Sequence, residues 1–218
     1  MSAGSGTPAA TPAATGDVAG GRLGGWIVPA LRAVVALVVG LAITFTAAHS
    51  ATFGLIAFGL YAIVAGAVLL AGSLGGRSDP RARGLFLVQG TVTVLAGVAA
   101  LAAPEGGVHY FVWVVSAWAI IAGALELVSG VRARGRIAAA RDWMILGGLT
   151  LVLAIAFLVV PPDYSQSLGG IEKVNGTLTA SVVLVGAFGA WAIVAGVLLG
   201  IGAVSARGAR VTKREVSA

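Results

Sequence analysis

Cysteine is missing from the chain altogether, which removes disulfides, thiolate metal sites and thiol nucleophiles together. Charge is scarce as well. Asp, Glu, Lys and Arg make up 10% of 218 residues, against roughly 25% in an ordinary soluble domain. Only 8 residues are acidic and only 2 are His, so general acid–base pairs have little to be built from. Walker-type phosphate loops, HExxH and GxSxG are all absent. No nucleophile–base pair is in view, and the expectation is a protein that is not an enzyme, with no cofactor and no metal.

What fills the chain instead is apolar, at 58%. No Asp, Glu, Lys or Arg occurs from 33 to 76, a run of 44 residues, or from 174 to 206, a run of 33. A membrane-spanning helix needs about 20 predominantly apolar residues. In lipid the backbone must satisfy itself, which leaves helices or closed barrels. Barrel strands alternate in polarity over about ten residues, whereas these runs are apolar on every side. The fold class predicted is all-α and membrane-embedded, with six transmembrane helices near 26–47, 51–72, 84–103, 110–131, 143–160 and 181–204. They form three hairpins, 26–72, 84–131 and 143–204, within a domain spanning 26–205. Residues 1–25 are small, polar and Pro-containing, and read as a disordered N-terminal tail. This stretch lacks the basic and apolar regions of a signal peptide. Residues 206–218 read as a basic C-terminal tail.

The hairpins are copies of one another. YAIVAGAVLL from Tyr61, WAIIAGALEL from Trp118 and WAIVAGVLLG from Trp191 repeat one phrase, and Arg77, Arg134 and Arg207 each follow sixteen residues later. Gly40 and Gly97 lie 57 residues apart, as do Tyr61 and Trp118. The third copy aligns Ala154 with the glycines and carries extra residues in its external connection, PPDYSQSLGGIEKVNGTLTAS. Each unit is a complete hairpin, so the copies run parallel about an axis along the membrane normal. They are not the inverted repeats common in secondary transporters.

Basic residues set the orientation. Arg22, Arg32, the groups 77–83 and 132–141, and the group 207–214 hold 13 of the 14 Lys and Arg residues on one side. Lys173 stands alone on the other, with Glu105, Asp163 and Glu172. The positive-inside bias places both termini in the cytoplasm and the protein in the cell membrane (plasma or inner). A net charge of +6 then points to anionic lipid headgroups beside the Arg clusters. Nucleic acid is not expected, since no stacking aromatics accompany the arginines. The partners expected are the lipid bilayer and a second copy or another membrane protein.

Small residues four apart recur on every helix: Ala36/Gly40, Thr93/Gly97, Thr150/Ala154, Ala62/Gly66, Ala119/Gly123 and Ala192/Gly196, the last continuing to Gly200. Such stripes let helices approach closely in lipid, so Gly40, Gly66, Gly97, Gly123 and Gly196 are candidate packing residues.

These features resemble a known family. LRAVVALVVGLA at Arg32 and, above all, the WAIIAGALELVSGVRAR stretch from Trp118 are similar to HdeD-type acid-resistance membrane proteins. The resemblance covers about residues 26–207 and implies six spans and a role in acid tolerance, with no assigned activity for most members. Here the first external turn, AAHSAT, lacks the Pro present at Pro104 and Pro161, and the third external loop is long.

Glu126 is the one acid inside an expected span, and an intramembrane charge calls for a named partner. Arg32 is that partner. The two form a candidate intramembrane ion pair, structural or relaying protons or substrate, unless each snorkels separately to the interface. His49, His109 and Glu105 gather at the external face as a candidate pH-responsive group, imidazole titrating between about pH 5 and 8. Trp26, Trp113 and Trp143 read as interfacial anchors, and Tyr61, Trp118 and Trp191 as packing residues. Asn175-Gly176-Thr177 fits a sequon and, equally, a turn. Two function classes follow. One is a non-enzymatic membrane protein of envelope or acid-stress homeostasis. The other is a small-molecule or ion transporter or channel. Arg32, Gln89 and Leu146 are equivalent positions of unlike chemistry, which speaks against a symmetric filter.

Overall fold

The computed structural model describes residues 25–47, 49–75, 82–167 and 177–216, with side chains as far as Gly208. Of the sequence expectations, the N-terminal tail up to 24, Arg22, Arg77, Arg81, Glu172, Lys173 and the Asn175-Gly176 turn lie outside the described residues.

The apolar runs form six helices: α1 Ile27–Phe45, α2 Ala51–Leu74, α3 Arg83–Ala102, α4 Gly107–Ala133, α5 Ala140–Val159 and α6 Ala180–Val216. Each is long and apolar enough to cross a membrane. Three boundaries depart from the sequence expectation by three residues or more, one being the start of α5 at Ala140 rather than 143. Helix α4 starts earlier, because Gly107 takes a φ of 73° that turns the chain straight into it. Helix α6 runs on through most of the basic segment 206–218, to Val216. The connection between α5 and α6 also holds a small antiparallel pair, β1 Ser165–Ser167 and β2 Thr177–Thr179, with Gln166 opposite Leu178.

Five hydroxyls within the helices are satisfied locally, whereas Ser116 Oγ is buried without a hydrogen-bond partner among the described residues. Thr44, Thr91, Thr93, Ser129 and Thr150 each donate to the carbonyl four residues earlier, the usual way to carry a hydroxyl in a helix. The start of α2 is fixed by Ser50, whose Oγ accepts from Phe53 N at 3.1 Å.

Helices α2, α4 and α6 touch one another in the centre, and α1, α3 and α5 pack outside them. The closest approaches join helices from different hairpins. A Cβ on Gly66 would lie 2.8 Å from Gly90 O, and one on Gly97 2.8 Å from Gly59 O, which sets α2 against α3. A Cβ on Gly123 would meet Gly147 O at 3.0 Å, setting α4 against α5. Gly40 faces Gly189 O and Ile193, while Gly196 faces Leu37 and Ala33 O, setting α1 against α6. Gly200 has only Ala33 Cβ nearby, at 3.9 Å, so that stripe loosens before its end. Bare backbone meeting bare backbone gives dispersion contacts that lipid tails cannot match. Outside these seams Val34, Val38, Leu95, Trp113 and Ile155 are exposed, a coat suited to hydrocarbon rather than water.

Candidate functional site

The centre of the bundle is aromatic. Tyr61 from α2, Trp118 from α4 and Trp191 from α6 meet edge to face, with centroids 5.4 to 6.1 Å apart. These are the same position in the three copies of the repeated phrase. One turn away Phe58 and Phe188 pack on them at 5.1 and 5.7 Å, and Val115 fills the remaining equivalent place. Phe111 and Phe157 form a further buried pair at 5.1 Å. Both indoles are held by an outer helix: Trp118 Nε1 donates to Thr93 Oγ1 at 3.1 Å, and Trp191 Nε1 to Thr150 Oγ1 at 3.3 Å. Thr93 and Thr150 are themselves 57 residues apart. In the first copy Ala36 replaces the threonine and Tyr61 the indole, so that link is lost.

Charge enters next to Tyr61. Arg32 Nη1 donates to Glu126 Oε1 at 3.0 Å and Nη2 to Glu126 Oε2 at 3.4 Å. Gln89 Nε2 donates to Glu126 Oε2 at 3.1 Å. Arg32 and Glu126 are 8% and 2% exposed, so neither snorkels to an interface. Taking these charges out of water costs several kcal/mol per ion, and the fork of hydrogen bonds offsets it. Gln89 joins the carboxylate although the sequence offered it no part. Its signal was the repeat itself, which places Gln89 where Arg32 stands one copy earlier. A void of about 10 Å³ separates this group from the aromatic triad. Among the described residues Arg32 Nε and Gln89 Oε1 have no hydrogen-bond partner.

Beyond the ion pair, toward the end carrying Arg134, Arg136, Arg141 and Arg207, the bundle opens into a cavity of about 300 Å³. Pro29, Phe86 and Trp143 line it, one from each repeat. Leu69 and Leu199, the equivalents of Glu126, line it as well. It is thus an axial vestibule, with Arg32 as its floor. Trp143 faces this space and packs edge to face on Phe86 at 4.9 Å, so it is not the lipid-facing anchor expected. Trp26 lies under the Arg207 guanidinium at 5.2 Å.

No hydrogen bond among the described residues joins His49, His109 and Glu105 to one another. His49 Nδ1 lies 3.4 Å from Ala47 O, and Glu105 Oε2 accepts from Thr52 Oγ1 at 3.4 Å. His109 is exposed. Among the described residues no three His, Cys, Asp or Glu side chains are placed to hold a metal ion.

A family model described as a short repeat of unknown function (DUF308) matches residues 31–101 and again 88–159. The two matched windows start 57 residues apart, the spacing that separates Arg32 from Gln89 and Thr93 from Thr150. No curated protein and no solved structure matches the chain.

Proposed function

Because the chain belongs to the family of short repeats of unknown function (DUF308), we propose that it is a non-enzymatic integral protein of the cell membrane serving envelope or acid-stress homeostasis. Three parallel hairpins surround an axis along the membrane normal, with both termini cytoplasmic and anionic headgroups at the Arg clusters. The observation that carries this reading is the filled axis. Conduction needs polar groups along a continuous space at membrane depth, whereas Tyr61, Trp118, Trp191, Phe58 and Phe188 occupy the middle of the bundle with buried rings. In this reading the Arg32–Glu126–Gln89 group is a structural device that fixes α1, α3 and α4 in register. The transporter reading draws on the vestibule alone. Acid-challenge survival of a deletion strain tests the proposal. Wild type restores survival, and Glu126→Ala restores it in proportion to the folded protein present. Survival of the deletion strain equal to its parent would remove the acid-stress role.

A further inference from the structure

The vestibule has an unequal balance of charge. Its two ionic groups are Arg32 at the floor and Asp142 near the mouth. Glu126 already neutralises Arg32, at 3.0 Å. Among the described residues no salt bridge engages Asp142. Its carboxylate lies against bare backbone on α6: a Cβ on Gly202 would stand 3.0 Å from Asp142 Oδ2. Arg141, next in the chain, interacts with Asp142 electrostatically, and both are exposed at the mouth, where solvent and salt weaken the pair. Arg207 is held over Trp26. Among the described residues, Asp142 is thus the charge lining the cavity that no salt bridge engages, and it is negative.

The remaining walls suit an apolar body. Val28, Leu69, Leu146 and Leu199 surround the space, and Phe86 and Trp143 add two aromatic rings at right angles. A volume near 300 Å³ is the lower end of small-molecule pockets, about 300–1,000 Å³. A cation held by a carboxylate and by aromatic rings gains from both, and the gain rises as water leaves. We propose that this vestibule binds a hydrophobic monocation, an organic amine or quaternary ammonium ion with one compact apolar group. Its charge sits at Asp142, and its body packs against Phe86 and Trp143. The ion-paired floor and the aromatic layers close the cavity below, so the site binds without passing its ligand onward. This goes beyond the proposed role and stands whether or not acid survival depends on the protein.

Benzyltrimethylammonium and phenylmethanesulfonate, similar in shape and opposite in charge, test the proposal on the full chain in a non-ionic detergent by equilibrium dialysis. The ammonium ion binds saturably, one per chain, and the sulfonate binds at least about fivefold more weakly. Asp142→Asn weakens the ammonium ion by about two- to fivefold, the scale of one partly exposed ion pair, with thermal stability unchanged. Trp143→Leu weakens it as well. Should Asp142→Asn not fold, Gly202→Ala is the second variant. Its new methyl displaces the Asp142 carboxylate and lowers ammonium affinity while the fold persists. Equal or tighter sulfonate binding, ammonium affinity indifferent to the Asp142 or Gly202 change, or no saturable binding by wild type would each overturn the proposal.

Discussion

Arg32 and Gln89, equivalent residues of consecutive repeats, donate to the same carboxylate, that of Glu126, at 3.0 and 3.1 Å. One repeat supplies the charge, the next a neutral amide, and the third has Leu146 in that place. Three identical arginines round one axis would repel one another in a medium of low permittivity. Divergence of the copies gives Glu126 one cation and one amide instead.

The pair should behave as a coupled unit. Arg32→Ala and Glu126→Ala each strand a buried partner, a change that typically costs about 3–5 kcal/mol. The double variant should be less destabilised than the two single effects added, by at least about 1 kcal/mol in a thermal-unfolding cycle in detergent. Additive effects would mean that the two groups contribute separately.

Neighbouring glycines on α5 provide a sharp contrast. A Cβ at Gly147 would sit 2.5 Å from Leu127 N and 2.7 Å from Gly123 O, whereas at Gly148 nothing lies within 4 Å. Gly147→Ala should lower the melting temperature and folded yield, since backbone must move. Gly148→Ala should be neutral or stabilising by up to about 1 kcal/mol, from helix propensity alone. Equal behaviour of the two variants would contradict the α4–α5 seam.

The indole links should be worth a typical hydrogen bond each. Trp118→Phe combined with Thr93→Val, and Trp191→Phe combined with Thr150→Val, should show coupling of about 0.5–1.5 kcal/mol in double-mutant cycles. Crossing the pairs, Trp118→Phe with Thr150→Val, should give none, because those side chains are not bonded.

Topology can be read with thiol labels against a silent background, since the chain has no cysteine. Glu105→Cys should react with a membrane-impermeant maleimide in intact cells, and Arg134→Cys only after permeabilisation. Labelling of both from outside would overturn the orientation argued from the arginines.

Six helices and the repeat of 57 were legible because hydropathy and periodicity are properties of the sequence itself. The partners of each stripe were not. Four-residue spacing says that Gly66 and Gly123 lie on smooth faces, but not that α2 meets α3 and α4 meets α5 across hairpin boundaries. Trp143 illustrates the same limit. An indole near a helix start suits a lipid belt or an axial vestibule equally well, and the choice is made by Phe86 on another helix. Gln89 was hidden for a related reason. Its contact depends on where α4 presents Glu126 between α1 and α3, and alignment compares residue types rather than positions in space.

Tyr61, Trp118 and Trp191 close the centre of the bundle. Proton flux into proteoliposomes, under a pH gradient with valinomycin and potassium to clamp the potential, tests this closure most directly. Wild-type vesicles should acidify no faster than protein-free vesicles. A protein-dependent proton flux that is abolished by Glu126→Gln, with folding retained, would contradict the account and make the buried carboxylate a relay.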